Sequence, residues 1–392
     1  MKITGIDCHV LVAPGYRRDA ASSAQDGFVV EVHTDEGLDG IGEADLNPWI
    51  AQACIEARGT HNMGLGLREM LIGANPLDPS ALWDRLYVGS AMNGRRGAVI
   101  HAMGAIDIAL WDIAGKATGV PTYHLLGKPV RDHVTPYASL QPERDTYRAF
   151  RDEMVDWAVR AKALGFKAAK LEMTFDGPYC HMGLHVPDEC LTEVLQAVRD
   201  AVGDDMVLMV DVQYMWDDVD RCLRTIEKWP SLGVYFVETP LQSDDLDGYA
   251  RLHEATGRPL IAAGEWLATR FEFAELLDHG RIDVAQPDIG RVGGLTEARR
   301  VAALAHQRGV PVVPHLFKSA ISIAAAVQFA AVTPDCPYIE FVPPTLTESR
   351  LRKELTLDEP RMVDGIIPLP TEPGLGPRVN RKALEDYAAR EP

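Results

Sequence analysis

The chain has 392 residues, of which 46% are hydrophobic and 24% charged, with 57 acidic and 39 basic side chains giving a formal net charge of −18. That length exceeds what one hydrophobic core serves and implies a large domain plus a second module. The charge argues against nucleic acid and anionic membranes as partners, but leaves room for a small anionic substrate bound beside a cation.

Taken in chain order, residues 2–12 and 28–34 alternate as strands do, and DEGLDG at 35–40 turns into IGEA, which makes a short antiparallel meander. Val99, Met103, Ile106, Leu110 and Ile113 then recur at helical spacing, and Gly119 and Pro121 stop the helix. From about residue 133 short apolar runs alternate with helical segments such as DDVDRCLRTIEKW and LTEARRVAALAHQRG. The runs TPYASL, AAKLEM, VLMVD, VYFVE, LIAAGE, IDVAQPD, VPVVPH and PYIEFV predict eight parallel strands joined by crossover helices, which suits a closed α/β barrel. An open doubly wound sheet would carry a Gly-rich phosphate loop, and neither GxGxxG nor GxxxxGK[ST] occurs in that context. The Pro- and Gly-rich tail IIPLPTEPGLGP is expected to leave the barrel and pack on the N-terminal module. The domains expected are therefore 1–128 (an α+β cap), 129–354 (the barrel) and 355–392 (a segment returning to the cap).

Asp211, Glu238, Glu265, Asp288, His315 and Glu340 end successive runs, at gaps of 27, 27, 23, 27 and 25 residues. Each is thereby predicted at the carboxyl end of its own strand, where a barrel keeps its active site. One such acid alone would be a polar cap. Three on adjacent strands, Asp211, Glu238 and Glu265, form a hard-oxygen ligand set suited to Mg²⁺, with Mn²⁺ tolerated. Asp288 beside His315 would fix the imidazole tautomer and leave the other nitrogen as a base. Lys170 and Glu172 share one face of the second strand, where Lys170 either polarises a substrate carboxylate, exchanges a proton, or pairs internally with Glu172. Glu340 is placed to hydrogen-bond a developing enolate oxygen. The long loop 174–189 carries Tyr179, His181 and His185, either histidine being a candidate for substrate contact or a second acid/base. Further capping loops are expected at 14–27, with Arg17 and Arg18, and at 45–50, with Asn47 and Trp49. No GxSxG elbow marks a nucleophilic triad.

The segments VDVQ, VETP, AGEWL, QPDIGRVGG, VPHLFKSAIS and IEF, together with NGRRGAVIHAMGAIDIALWDIAGKATGVPTYHLLG at 93–127, resemble the enolase superfamily, and within it the mandelate racemase branch. The resemblance covers nearly the whole chain. It implies a modified TIM barrel, (β/α)7β, with a capping domain built from both termini, Mg²⁺ on Asp211, Glu238 and Glu265, and the Asp288–His315 dyad as general base or acid.

One departure matters. Racemases and many dehydratases of this branch carry KxK on the second strand, with the second Lys as a base, and here the motif reads Lys170-Leu171-Glu172. The second base is missing, so elimination is favoured over racemisation. With the long loop and DVQYMWDD after the first ligand, the pattern looks more like the rhamnonate dehydratase group than mandelate racemase itself. The expected enzyme is a sugar-acid dehydratase, a hydro-lyase of carbohydrate acid catabolism: His315 removes the proton α to a carboxylate, the β-hydroxyl leaves, and a 2-keto-3-deoxy acid forms. In an anti variant His315 is the acid alone, and Glu172 or a loop histidine is the base. Glu172, Gln213 and His185 are the candidates for substrate contact. The alternatives are a racemase, epimerase or cycloisomerase on the same scaffold, and a scaffold protein without catalysis.

Cys8, Cys54, Cys180, Cys190, Cys222 and Cys336 form no CxxC pair, and the N-terminus MKITGIDCHVLVAPG lacks a signal-like apolar run. A cytoplasmic protein with no membrane partner is expected, and the resemblance adds a homo-oligomer.

Overall fold

The computed structural model describes residues 1–18, 23–255 and 257–389. Part of the anticipated 14–27 loop, residues 19–22, lies outside them.

The N-terminal meander forms as expected: β1 (Ile3–Val12) pairs antiparallel with β2 (Asp26–Thr34), and β2 with β3 (Asp39–Ala44). The helix Ala98–Thr118 covers this sheet and ends at Gly119, whose φ of 71° is the left-handed turn that glycine makes without strain. Gly40 and Gly42 let β3 lie directly on the helix. A Cβ at Gly40 would fall 2.1 Å from the Ala109 carbonyl oxygen, and one at Gly42 would fall 1.9 Å from that of Ala105. This contact aims the end of β3, with Glu43 and Asp45, at the barrel. The same helix is long and apolar enough to cross a membrane, but 83% of its most apolar stretch is buried inside the protein.

β4 (His133–Val134) pairs antiparallel with β12 (Ile367–Pro368) and leads into the barrel. The barrel sheet contains β5 (Pro136–Leu140), β6 (Ala168–Glu172), β7 (Val207–Asp211), β8 (Val234–Glu238), β9 (Leu260–Ala263), β10 (Val284–Ala285) and β11 (Ile339–Phe341). All pairings are parallel, in the order β10-β9-β8-β7-β6-β5-β11. Tyr137, Ala168, Met209, Phe236, Ala262, Val284 and Val313 point inward and fill the centre, so the barrel is a packed core rather than a pore.

The seventh expected strand, VPVVPH, is not one. It joins the sheet only by a parallel bridge of Val312 to Ala285, with Val313 N–H donating to the Ala285 carbonyl at 2.9 Å. Pro311 and Pro314 explain this, because each removes a ladder donor. Beyond the barrel the tail reaches the cap: Ala389 N–H donates to the Val10 carbonyl at 2.8 Å, and Leu375 N–H to Asp112 Oδ1 at 2.9 Å.

Candidate active site

Asp211 and Glu238 are the last residues of β7 and β8 and stand in register with each other. Glu265 and Asp288 lie just past their strands, and His315 just past the bridged run that replaces one. Glu265 follows Gly264, which turns the chain at φ 120°; Asp288 follows Pro287 and caps the helix Ile289–Val292; His315 follows Pro314. Glu340 sits within β11. The rhythm seen in the sequence therefore reports the strand-to-loop junction, and the turn residues decide how far beyond the strand each side chain stands. At two junctions the backbone is forced to positive φ in residues other than glycine, Gln213 (43°) and Tyr214 (58°) after Asp211 and Thr239 (46°) after Glu238. Such conformations cost about 1–3 kcal/mol each and persist where the surroundings fix them, typically at functional sites.

The side chains converge. Lys170 Nζ lies 2.9 Å from Glu238 Oε1, 3.0 Å from Glu340 Oε1 and 3.5 Å from Asp211 Oδ2, so it pairs with these three acids and not with Glu172. Gln286 Nε2 donates to Glu238 Oε2 at 2.7 Å, and Thr239 Oγ1 donates to Asp211 Oδ1 at 2.9 Å. His315 Nδ1 is 2.8 Å from Asp288 Oδ2, and its Nε2 is 3.1 Å from Glu265 Oε2. Leu316 N–H donates to Glu340 Oε2 at 2.9 Å.

Among the described residues, six buried carboxylates, those of Glu172, Asp211, Glu238, Glu265, Asp288 and Glu340, thus share one ammonium (Lys170), one guanidinium (Arg291) and two imidazoles (His315 and His181). Burial raises the pKa of Glu172, Asp211 and Glu238, and their like-charged neighbours raise it further against the pull of Lys170. Burial disfavours the charged form of His315, but Glu265 and Asp288 outweigh it and lift the imidazole to about 9. An excess of buried negative charge is the condition in which a site takes up a cation. Glu238, Glu265 and His315 each present a ligand atom within 4.8 Å of the others, and Asp211 stands beside Glu238. The carboxylate oxygens fit a hard divalent ion, and His315 remains tied to Asp288.

The β6 flank is built differently. Gln141 and Gln213 both donate through their side-chain amides to Glu172 Oε1. Of the two loop histidines, His181 is the one buried there, its Nε2 3.6 Å from Glu172 Oε1 and its pKa pressed down to about 4 by burial. His185 sits on the surface, 64% exposed at its side chain and 3.6 Å from Asp176. Arg221 pins the two ends of this loop, at 2.9 Å from Asp176 and 2.6 Å from Asp188. Its tip, Tyr179, lies edge-on to Trp266 at 5.3 Å, and Trp266 packs on Tyr214 at 4.0 Å. Of the capping loops, Arg17 reaches the same segment through Met182 Sδ at 3.3 Å, whereas Asn47 caps the helix Pro48–Glu56. Trp49 is 48% exposed.

Gln141, Gln286, Thr239, Arg291 and Asp45 were not singled out by the sequence. Arg291 lies inside QPDIGRVGG and Asp45 at the edge of the 45–50 loop, but neither has a spacing that announces contact with Glu265 or with the other.

Residues 16–127 match the mandelate racemase / muconate lactonizing enzyme N-terminal domain, and residues 153–383 match the enolase C-terminal domain-like family. The chain is 33% identical to D-galactarolactone cycloisomerase of Agrobacterium fabrum over 100% of both proteins. It is 32% identical to L-rhamnonate dehydratase of Saccharopolyspora erythraea over 90% of this chain and 83% of that protein. The crystal structure of 3,6-anhydro-D-galactonate cycloisomerase from Zobellia galactanivorans superposes over 100% of both chains with a TM-score of 0.85 at 30% identity. Fold, match and strand-end residues agree: the chain is an enzyme of the enolase superfamily, in its mandelate racemase and muconate lactonizing branch.

Proposed function

We propose that the protein is a divalent-metal-dependent dehydratase of sugar acids. The observation that carries this reading is the His315–Asp288 pair at 2.8 Å, set against Glu265 at the mouth with no second lysine on β6. Asp288 holds the Nδ1 side of the ring, so Nε2 is the atom that faces the reacting carbon. Asp211, Glu238 and Glu265 are the residues that would hold Mg²⁺, or Mn²⁺ in its place. When bound, the ion neutralises charge that builds on the substrate carboxylate. Lys170, buried among Glu238, Glu340 and Asp211, presents its ammonium to the same carboxylate. Glu265 is the main group holding the His315 proton, so the ring works in its neutral form when that carboxylate's charge is taken up by a cation. Neutral His315 removes the α-proton, the electron pair moves toward the carboxylate and returns to expel the β-hydroxyl, and the hydroxyl leaves as water after taking a proton from the imidazolium. The enol product then becomes a 2-keto-3-deoxy acid. Glu340, held by Leu316 N–H, stays close to the enolic oxygen.

A second reading, cycloisomerisation of a sugar lactone or anhydro acid, is supported by the full-length similarity to D-galactarolactone cycloisomerase. It uses the same proton abstraction with a ring oxygen as leaving group. Incubation with Mg²⁺ and a panel of aldonates, aldarates and their lactones, followed by semicarbazide trapping, separates the two. Keto acid formed from open-chain acids with loss of water supports dehydration. Keto acid formed only from cyclic substrates, with no change in mass, replaces it by cycloisomerisation. Deuterium uptake without keto acid overturns both in favour of racemisation or epimerisation.

A further inference from the structure

Arg291 is buried where the capping domain meets the mouth, and three groups divide it. Its Nη1 donates to Glu265 Oε2 at 3.0 Å, its backbone N–H donates to Asp288 Oδ1 at 2.9 Å, and its Nη2 pairs with Asp45 Oδ2. Its Nε also donates to the Asp45 carbonyl at 3.1 Å. Asp45 follows β3 directly and is itself buried; its Oδ1 lies 3.1 Å from Lys318 Nζ, which also reaches Asp26 Oδ1 at 2.8 Å. A tie between two domains needs only an ion pair. Here the same guanidinium also holds an expected cation ligand, and the same residue's backbone holds the carboxylate that orients His315.

We propose that Asp45 and Arg291 form a positioning unit through which the capping domain fixes the carboxylate of Glu265 for the divalent ion. The inference rests on Glu265 being a cation ligand. Asp45 shares the positive charge of Arg291. Without it that charge falls wholly on Glu265 and competes with the ion for the carboxylate. Groups that orient a ligand from behind in this way typically change metal affinity or activity by about 10–100-fold when removed.

The test is a Mn²⁺ titration of the metal-free full-length protein, read by the paramagnetic resonance of free Mn²⁺. Asp45→Asn should weaken binding about tenfold or more while its circular dichroism stays that of the wild type, its melting temperature falling because a buried ion pair loses one partner. Asp26→Asn, which strips Lys318 of a partner without touching Arg291, should bind like the wild type. If Asp45→Asn does not fold, Arg291→Lys serves, because it keeps the charge but cannot grip Asp45 and Glu265 together; it should weaken binding similarly. Wild-type affinity in the folded variant, equal losses in Asp45→Asn and Asp26→Asn, or no Mn²⁺ binding by the wild type would each overturn the inference. A wild type that binds Mn²⁺ but forms no keto acid from any sugar acid refutes the dehydratase reading and leaves this one standing.

Discussion

The two flanks of the barrel mouth are held in opposite ways. On the flank of His315, Glu265, Asp288 and Asp45 each face a basic side chain, and the capping domain reaches in through Asp45 and through Glu43, whose Oε2 accepts from Ser319 Oγ at 2.8 Å and Ser322 Oγ at 2.7 Å. On the β6 flank Glu172 is met by two neutral amides and by His181, which burial holds neutral, under a loop clamped by Arg221. On the proposed reading, the charged flank carries the proton and the amide-lined flank holds a polar group of the substrate. If proton transfer is confined to the His315 flank, as proposed, elimination is served better than inversion, which needs a donor on each face.

The comparison is broken most directly at His315. His315→Asn should lower kcat by about 10²–10⁴-fold and abolish exchange of the substrate α-hydrogen in D₂O, with metal binding intact; retained exchange would move the base to the other flank. Next in size, Gly42→Ala drives a Cβ into the Ala105 carbonyl, 1.9 Å away, and should destabilise the protein by about 3 kcal/mol. Denaturant melts should show that loss, and turnover should fall with it, since the cap supplies Asp45.

Glu31 gives a smaller effect remote from both flanks. It is buried on β2 against His9, at 2.8 Å, and against Arg381 of the tail. Burial raises its pKa, but the hydrogen bonds from His9 and Arg381 prevail and bring it from 4.5 to about 2. A depressed carboxylate contributes stability in full above its unfolded value and loses it as pH falls through its folded value. Glu31→Gln should therefore cost on the order of 2 kcal/mol near neutrality, discounted for the exposed guanidinium of Arg381. That difference should shrink as the pH drops from 4.5 toward 2. Denaturant midpoints across that window measure it, and a constant difference would mean that charge is not the cause. The smallest effect is expected from Glu172→Gln, which keeps shape and polarity on the amide-lined flank and should cost tenfold or less, about 1.4 kcal/mol. A loss matching that of His315→Asn would make the chemistry two-sided.

The barrel, the cap meander and the converging acids were legible because each leaves a periodic trace: alternation in β1 and β2, helical spacing from Val99 to Ile113, and a strand-plus-helix rhythm from Asp211 to Glu340. What stayed hidden depends on turns and long-range packing. VPVVPH has the composition of a strand, and its two prolines decide otherwise. His181 and His185 are equivalent in the sequence, and only the path of the loop buries one against Glu172 and leaves the other at the surface. Arg291 and Asp45 are 246 residues apart, and nothing local to either foretells that they meet.

The proline-interrupted stretch before His315 makes the barrel wall discontinuous at that point. Among the described residues the segment meets the sheet at Ala285 and is tied on its other side by Val312 N–H to the Asp335 carbonyl at 2.8 Å, so no strand ladder runs beneath His315. The ring is fixed instead by its two carboxylate partners, Asp288 on Nδ1 and Glu265 on Nε2, so its place at the mouth answers to their charge rather than to a strand ladder.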